Sequence, residues 1–185
     1  NYSKPFRKTG LIGWLSSSSD RWIILLYLNE KILGQYLACY QIGFYFISQI
    51  SAVLTSFLHP ITTSLNLKEF GNYKKLMVYC FLSIMAMGVI SFLFIICFQI
   101  YGEYLLSYVL GENYLALAYL IPFMIIWGLS FGFINILSLI PISSGHPNLL
   151  PMPKILFSIL NVMTTIFSLV YLDLKSMILF SIVLN

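Results

Sequence analysis

Leu11–Leu28 reads LIGWLSSSSDRWIILLYL. Its two ends are those of a membrane-spanning helix. Leu11, Ile12 and Trp14 stand on one side, and Ile23, Ile24, Leu25, Leu26 and Leu28 on the other. Its middle holds Ser16, Ser17, Ser18, Ser19, Asp20 and Arg21. A carboxylate or a guanidinium near the centre of a bilayer helix costs about 2.5–3.5 kcal/mol on an insertion scale. The two together cost about 5–7 kcal/mol if they face lipid. The stretch therefore predicts a helix with one face turned to a polar interior, and the remaining chain is expected to supply that interior.

Composition agrees with a membrane setting. The 185 residues are 59% hydrophobic and only 9% charged, where soluble domains carry about 25% charged residues. The mean hydropathy is +0.90. At about 20 residues per span, the length allows about six spans and no soluble domain. The expected fold is an all-α polytopic membrane helical bundle, a single unit over residues 1–185. It has about five complete spans and a truncated sixth. Asn1–Thr9 carries Lys4, Arg7 and Lys8 with no small-residue cleavage site, so a signal peptide is not expected. The hydrophobic run Met177–Leu184 is too short to span. The chain thus reads as part of a longer protein, cut at both ends.

The spans follow in order. The first is Thr9–Leu28, closed by a turn at Asn29-Glu30-Lys31. The second runs Gly34–His59 and stops at Pro60. The third is Leu76–Ile100, followed by an acidic, Tyr-rich connection over Tyr101–Gly111. Asn113 is expected to cap the fourth, which ends at Pro141 and is kinked by Pro122. Ser143–Pro153 is a turn-rich loop. The fifth is Lys154–Leu172, and Asp173-Leu174-Lys175 turns into the incomplete sixth.

Lys and Arg set the orientation. Lys4, Arg7, Lys8, Lys68, Lys74, Lys75 and Lys154 fall on one side, against Lys31 and Lys175 on the other. That bias places residues 1–8 in the cytoplasm. Tyr27, Tyr36, Tyr79, Tyr101, Tyr104, Tyr119 and Tyr171 lie near span ends and read as an interfacial belt.

Polar residues recur at helical spacing inside the spans. Span two carries Gln41, Tyr45, Ser48, Gln49, Ala52, Thr55, Ser56 and His59 on one face, with Gly43, Phe46, Ile50, Val53 and Phe57 opposite. Span five carries Ser158, Asn161, Thr164, Thr165 and Ser168. Such stripes either pack helix on helix or line a water-filled cavity. Span two is read as cavity lining, because its stripe is long and holds two glutamines. Gly128-x-x-x-Gly132 is read as helix packing. Asp20 and Arg21 are about 100° apart on the helix, so they face different ways. Gln41 and Gln49 are their nearest candidate partners by depth.

Chemistry of other kinds has no support in the residues. Cys39, Cys80 and Cys97 are far apart, lie in apolar runs and have no His beside them, so each reads as a small buried hydrophobe. His59 reads as an interfacial residue and His146 as a loop residue. No phosphate loop, zinc motif or nucleophile elbow occurs. No enzyme activity, catalytic residue, metal or cofactor is expected, and no nucleic-acid partner.

The order of features resembles the C-terminal half of the bacterial O-antigen, or oligosaccharide-lipid, flippases. These belong to the multidrug/oligosaccharidyl-lipid/polysaccharide exporter superfamily. The resemblance rests on Ser19-Asp20-Arg21 before an aliphatic run. It rests also on Gly34-Gln35-Tyr36-x-x-x-Tyr40-x-x-Gly43 in a span ending at Pro60, and on Leu110-Gly111-Glu112-Asn113-Tyr114 entering a helix. It covers about residues 10–145. It implies one lobe of a two-lobe transporter in the bacterial cytoplasmic membrane, the N-terminal lobe being absent from this sequence. Such a protein flips a polyprenyl-pyrophosphate-linked oligosaccharide by alternating access. Its other partners are membrane lipid and polysaccharide assembly proteins. On this resemblance the substrate cavity takes Ser16, Asp20, Arg21, Gln41, Ser48, Gln49, Thr55, Asn161 and Thr165. Arg21 suits an anionic pyrophosphate, and Gln41, Gln49, Asn161 and Thr165 suit sugar hydroxyls. Three alternatives are a cation-coupled multidrug exporter of the same superfamily, a membrane-embedded polysaccharide polymerase or acyltransferase, and a purely structural membrane subunit. The first wants more buried acids than Asp20. The second wants a larger external loop than Tyr101–Gly111.

Overall fold

The short turn at residues 28–29 sets the first contact of the fold. The computed structural model describes residues 18–64, 70–144 and 151–184. Residues 18–27 are helical and form α1. Asn29 then adopts an extended backbone, and its side chain accepts a hydrogen bond from the Ile32 amide at 2.8 Å. That satisfies one of the four amides a helix start leaves open and launches α2, Glu30–Tyr40. The chain passes through a π turn at Gln41–Tyr45 into α3, Phe46–Ser64. Helix α4 spans Phe70–Val109. A 3-10 segment, Glu112–Leu120, leads into α5, Ile121–Leu137, and the short α6, Leu139–Ser143. Helices α7, Pro151–Tyr171, and α8, Leu174–Leu184, complete the described chain. No strand occurs among the described residues.

Among the described residues, three helical stretches are long and apolar enough to cross a membrane: Glu30–Ser64, Asn72–Val109 and Glu112–Ser143. Two shorter apolar helices are Ser158–Tyr171 and Leu174–Val183. Helix α4 shows what solvent it expects. It buries one stripe, Leu76, Cys80, Met87, Ser91 and Leu106, while Phe81, Phe92, Leu93 and Ile100 are exposed. A helix apolar all round belongs in lipid.

Helix α5 is the hub. It packs on α3, α4, α8 and the π turn. The closest approaches are at glycines. A Cβ on Gly128 would lie 2.9 Å from the Phe44 carbonyl oxygen and 3.0 Å from Ile47 Cβ. One on Gly132 would lie 2.7 Å from Met87 and 2.9 Å from Ser51 Cβ. The Gly128–Gly132 pair is therefore a packing seam, as its spacing implies.

Several boundaries differ from the sequence expectation. Pro60 does not end span two; α3 runs through it to Ser64. Proline lacks the amide that would continue the ladder. The α-helix continues past the one missing bond, to the Ser56 carbonyl, as membrane helices can; beyond it the Thr62 and Thr63 hydroxyls donate to the His59 carbonyl at 3.1 and 2.8 Å. Tyr101–Val109 is not a connection but the last turns of α4. The turn falls at Gly111, whose φ of +89° suits a residue without Cβ. Asn113 is not a cap, since Gly111 stands at the start of the 3-10 segment. Pro122 does not kink α5; it sits in the first turn, where its missing amide costs nothing. Pro141 lies inside α6, the break falling earlier at Ser138.

The turn into α8 is as expected. Asp173 Oδ1 accepts from the Ser176 amide at 2.7 Å. Hydrogen bonds from Ser176 hold this carboxyl below the usual carboxylate range.

Candidate functional site

Two adjacent charges on α1 meet two tyrosines one turn apart on α2. Asp20 is buried, at 4% exposure. Its Oδ2 accepts from the Tyr36 hydroxyl at 2.5 Å, and its Oδ1 from the Arg21 amide at 2.9 Å. The Arg21 guanidinium carbon stands 5.0 Å from the centre of the Tyr40 ring. Residues i and i+4 share a helix face, so Tyr36 and Tyr40 form one edge of α2. Asp20 and Arg21, about 100° apart, each reach a different ring. A cation over an aromatic face gains about 0.5–2 kcal/mol. A hydrogen bond to a charged group gains about 1.5–3 kcal/mol.

The expected separation of the two charges is thus present, but the expected partners are not. Gln41 and Gln49 are exposed and touch neither charge. The reason is a matter of counting. In an antiparallel hairpin turning at residues 28–29, residue 20 lies opposite about residue 37. Gln41 and Gln49 fall deeper along α3's line. The tyrosines were legible by that count. Tyr36 had been assigned to an interfacial belt, and that is a correction: it is fully buried. The other six belt tyrosines are exposed.

Tyr40 is itself held from below. It stacks on Phe44 at 4.7 Å and meets Trp127 edge-on at 5.9 Å. Phe44 lies 4.6 Å from Trp127 and 5.4 Å from Phe131. These rings anchor the guanidinium's platform to α5. Arg21 Nε is buried with no hydrogen-bond partner. The guanidinium is therefore positioned by its ring contact and retains donor capacity.

The other candidate residues sort into two groups. On span two, Gln41, Gln49, Ser56 and His59 line an exposed stripe. The packing stripe is a different one: Ile47, Ser51, Leu58 and Thr62. Ser48 and Thr55 lie at the margin of the packed face. Ser48 is buried and donates to the Tyr45 carbonyl at 2.8 Å. Thr55 is half-buried and donates to the Ser51 and Ala52 carbonyls at 3.0 Å. On α7, Asn161 Oδ1 accepts from the Ser181 hydroxyl at 2.9 Å. Thr165 and Ser168 are buried where α7 packs on α8. Asn161 thus joins α7 to α8, and a polar stripe on a helix serves packing as readily as solvation. Ser16, His146 and the basic residues of 1–9 and 65–69 lie outside the described residues. Among the described residues, no cluster of His, Cys, Asp or Glu could hold a metal ion.

A second contact, invisible in the motifs taken singly, joins them in space. The Gln35 side-chain amide donates to the Asn113 carbonyl. Gly34, Gln35, Asn113 and Tyr114, with Glu30 and Lys31, line a cleft of about 310 Å³. Cys39 Sγ donates to the Leu117 carbonyl at 3.3 Å.

Removing the Tyr36 hydroxyl leaves Asp20 buried with one donor fewer. Tyr36→Phe is expected to cost about 1–3 kcal/mol. The thermal midpoint of the detergent-solubilised protein should fall, while Tyr27→Phe, at an exposed ring, should not move it.

One family of known proteins matches the chain. It is described as polysaccharide biosynthesis protein, and the match covers residues 1–119. That interval holds α1 to the end of α4, nearly all of the 3-10 segment, and the Asp20–Tyr36 and Arg21–Tyr40 contacts. No curated protein and no solved structure matches.

Proposed function

This chain belongs to the polysaccharide biosynthesis protein family, and from that premise we propose that it is one lobe of a flippase for a lipid-linked oligosaccharide. The lobe sits in the bacterial cytoplasmic membrane with residues 1–8 in the cytoplasm. Its helices supply about five spans. It moves a polyprenyl-pyrophosphate-linked oligosaccharide between leaflets by alternating access, without covalent chemistry. Its partners are that substrate, membrane lipid and polysaccharide assembly proteins.

One observation carries the reading: the arrangement at Arg21. A guanidinium within an apolar bundle is costly, yet here it stands over Tyr40 with a buried, unbonded Nε. The neighbouring carboxylate is already engaged by Tyr36. A cation whose nearest acid is occupied has spare capacity for an anion, and a diphosphate accepts from Arg in a bidentate way. The exposed stripe of Gln41, Gln49 and Ser56 supplies donors and acceptors for sugar hydroxyls. It lies apart from the packed face, which favours a wetted surface over helix packing.

Thiol labelling of the full-length protein in membranes tests this. Cysteines at Gln49 and Ser56 should react with a water-soluble maleimide, and cysteines at Phe46 and Val53 should not. A polyprenyl-pyrophosphate-linked oligosaccharide should slow the reaction at Gln49. Equal labelling of both faces, or no protection by the lipid-linked sugar, would count against the reading.

A further inference from the structure

The two long spans that flank the site both change helical type, and they do so where they touch. Span two interrupts its α-helix with the π turn at Gln41–Tyr45. Span four passes from 3-10 to α at Leu120–Ile121, with Pro122 in the first turn of α5. Gly43, inside the π turn, is pressed onto this junction. A Cβ there would lie 2.5 Å from Met124 Cβ, 3.0 Å from the Ile121 carbonyl oxygen and 3.2 Å from the Ile125 amide nitrogen. Mid-helix π and 3-10 turns have altered hydrogen bonding and often mark hinges.

The elements on one side of this contact are tied to one another by polar side chains, while they meet α5 and α8 through apolar packing of Ile24, Tyr36 and Tyr40 with Met124, Trp127, Met177 and Ile178. Asp20 binds Tyr36, and Arg21 covers Tyr40, which joins α1 to α2. Gln35 binds the Asn113 carbonyl and Cys39 the Leu117 carbonyl, which joins α2 to the 3-10 segment. On the other side, α3 and α5 are locked by Gly128 and Gly132.

We propose that α1, α2 and the 3-10 segment move as one rigid cap that pivots at Gly43 on α5 and carries Asp20 and Arg21 with it. This bending lies within a single lobe and is distinct from rocking of whole lobes. It follows hinge logic, in which a few residues at element ends absorb the change. It gives the flippase reading its moving part and rests on that reading for its purpose, while the hinge itself stands on the geometry alone.

Spin labels at exposed positions test it in the full-length protein in lipid nanodiscs, with the exposed Cys97 replaced by Ala. Leu26, Phe57 and Tyr119 are exposed at 79%, 70% and 52%. Labels on Leu26→Cys and Tyr119→Cys both ride on the cap and should give one narrow distance distribution. Labels on Leu26→Cys and Phe57→Cys straddle the hinge and should give a distribution about twofold broader, or two maxima. Equal widths for the two pairs would overturn the proposal, as would a broad distribution within the cap. Export by the Arg21→Ala protein, read apart from the distances in the labelled protein that keeps Arg21, separates the two claims. A hinge with unimpaired export in that variant keeps the cap and removes the flippase role. Lost export with equal widths keeps the role and removes the hinge.

Discussion

Arg21→Ala in the full-length protein should abolish surface polysaccharide while leaving the amount of protein in the membrane unchanged. The substitution removes the guanidinium that stands over Tyr40 with its Nε unbonded. Losing a charged contact of about 1.5–3 kcal/mol lowers the rate about tenfold to a hundredfold. Arg21→Lys keeps the charge but loses the planar fork, so it should restore export only in part. Leu26→Ala, on the exposed face of the same helix, is the matched control and should export normally. Normal surface polysaccharide in Arg21→Ala would sink the functional reading. Quantitative immunoblotting of membranes beside surface polysaccharide staining separates loss of transport from loss of protein.

Gly43→Ala should be the most disruptive single-methyl change in the structure. The new Cβ would stand 2.5 Å from Met124 Cβ, with backbone atoms of Ile121 and Ile125 at 3.0 and 3.2 Å. None of these is the free end of a flexible side chain, so the helices must separate. Overpacking of this kind costs about 1–3 kcal/mol. The thermal midpoint and the mature level in membranes should both fall. Gly34→Ala and Gly88→Ala meet nothing within 4 Å and should leave both unchanged, which excludes a general intolerance of alanine. An unaltered midpoint in Gly43→Ala would mean that the close approach is not maintained in the membrane.

Both expectations turn on contacts that were partly legible in the chain. The cost of Asp20 and Arg21 in an apolar run already required polar or aromatic partners, and their 100° separation already required different ones. The partners themselves were countable from the short turn at residues 28–29. They were missed because glutamines at a plausible depth drew the assignment away from Tyr36 and Tyr40. A tyrosine near a span end reads as a belt residue by default, and only burial shows that Tyr36 is something else. The proline boundaries failed for another reason. A membrane helix can run on through a proline at the loss of one ladder bond, so Pro60 loses the force it has in water.

The sequence by itself determined the solvent, the helical class and the family. Hydropathy and scarce charge allow no other fold class, and the ordered motifs are those of a polysaccharide biosynthesis protein. It also determined that Gly128 and Gly132 would form a seam, because small residues four apart leave room for a neighbour. Only the tertiary structure decided which polar stripe is left uncovered and which is packed, since Gln49 and Thr165 look alike until a neighbouring helix covers one of them. It alone set the π turn against the 3-10 junction at Gly43, because that contact depends on how two spans are shifted along each other. And it alone turned Asp20 and Arg21 from a costly pair into two separate contacts. Asp20 is fastened to Tyr36, and Arg21 is held over Tyr40 with a donor to spare.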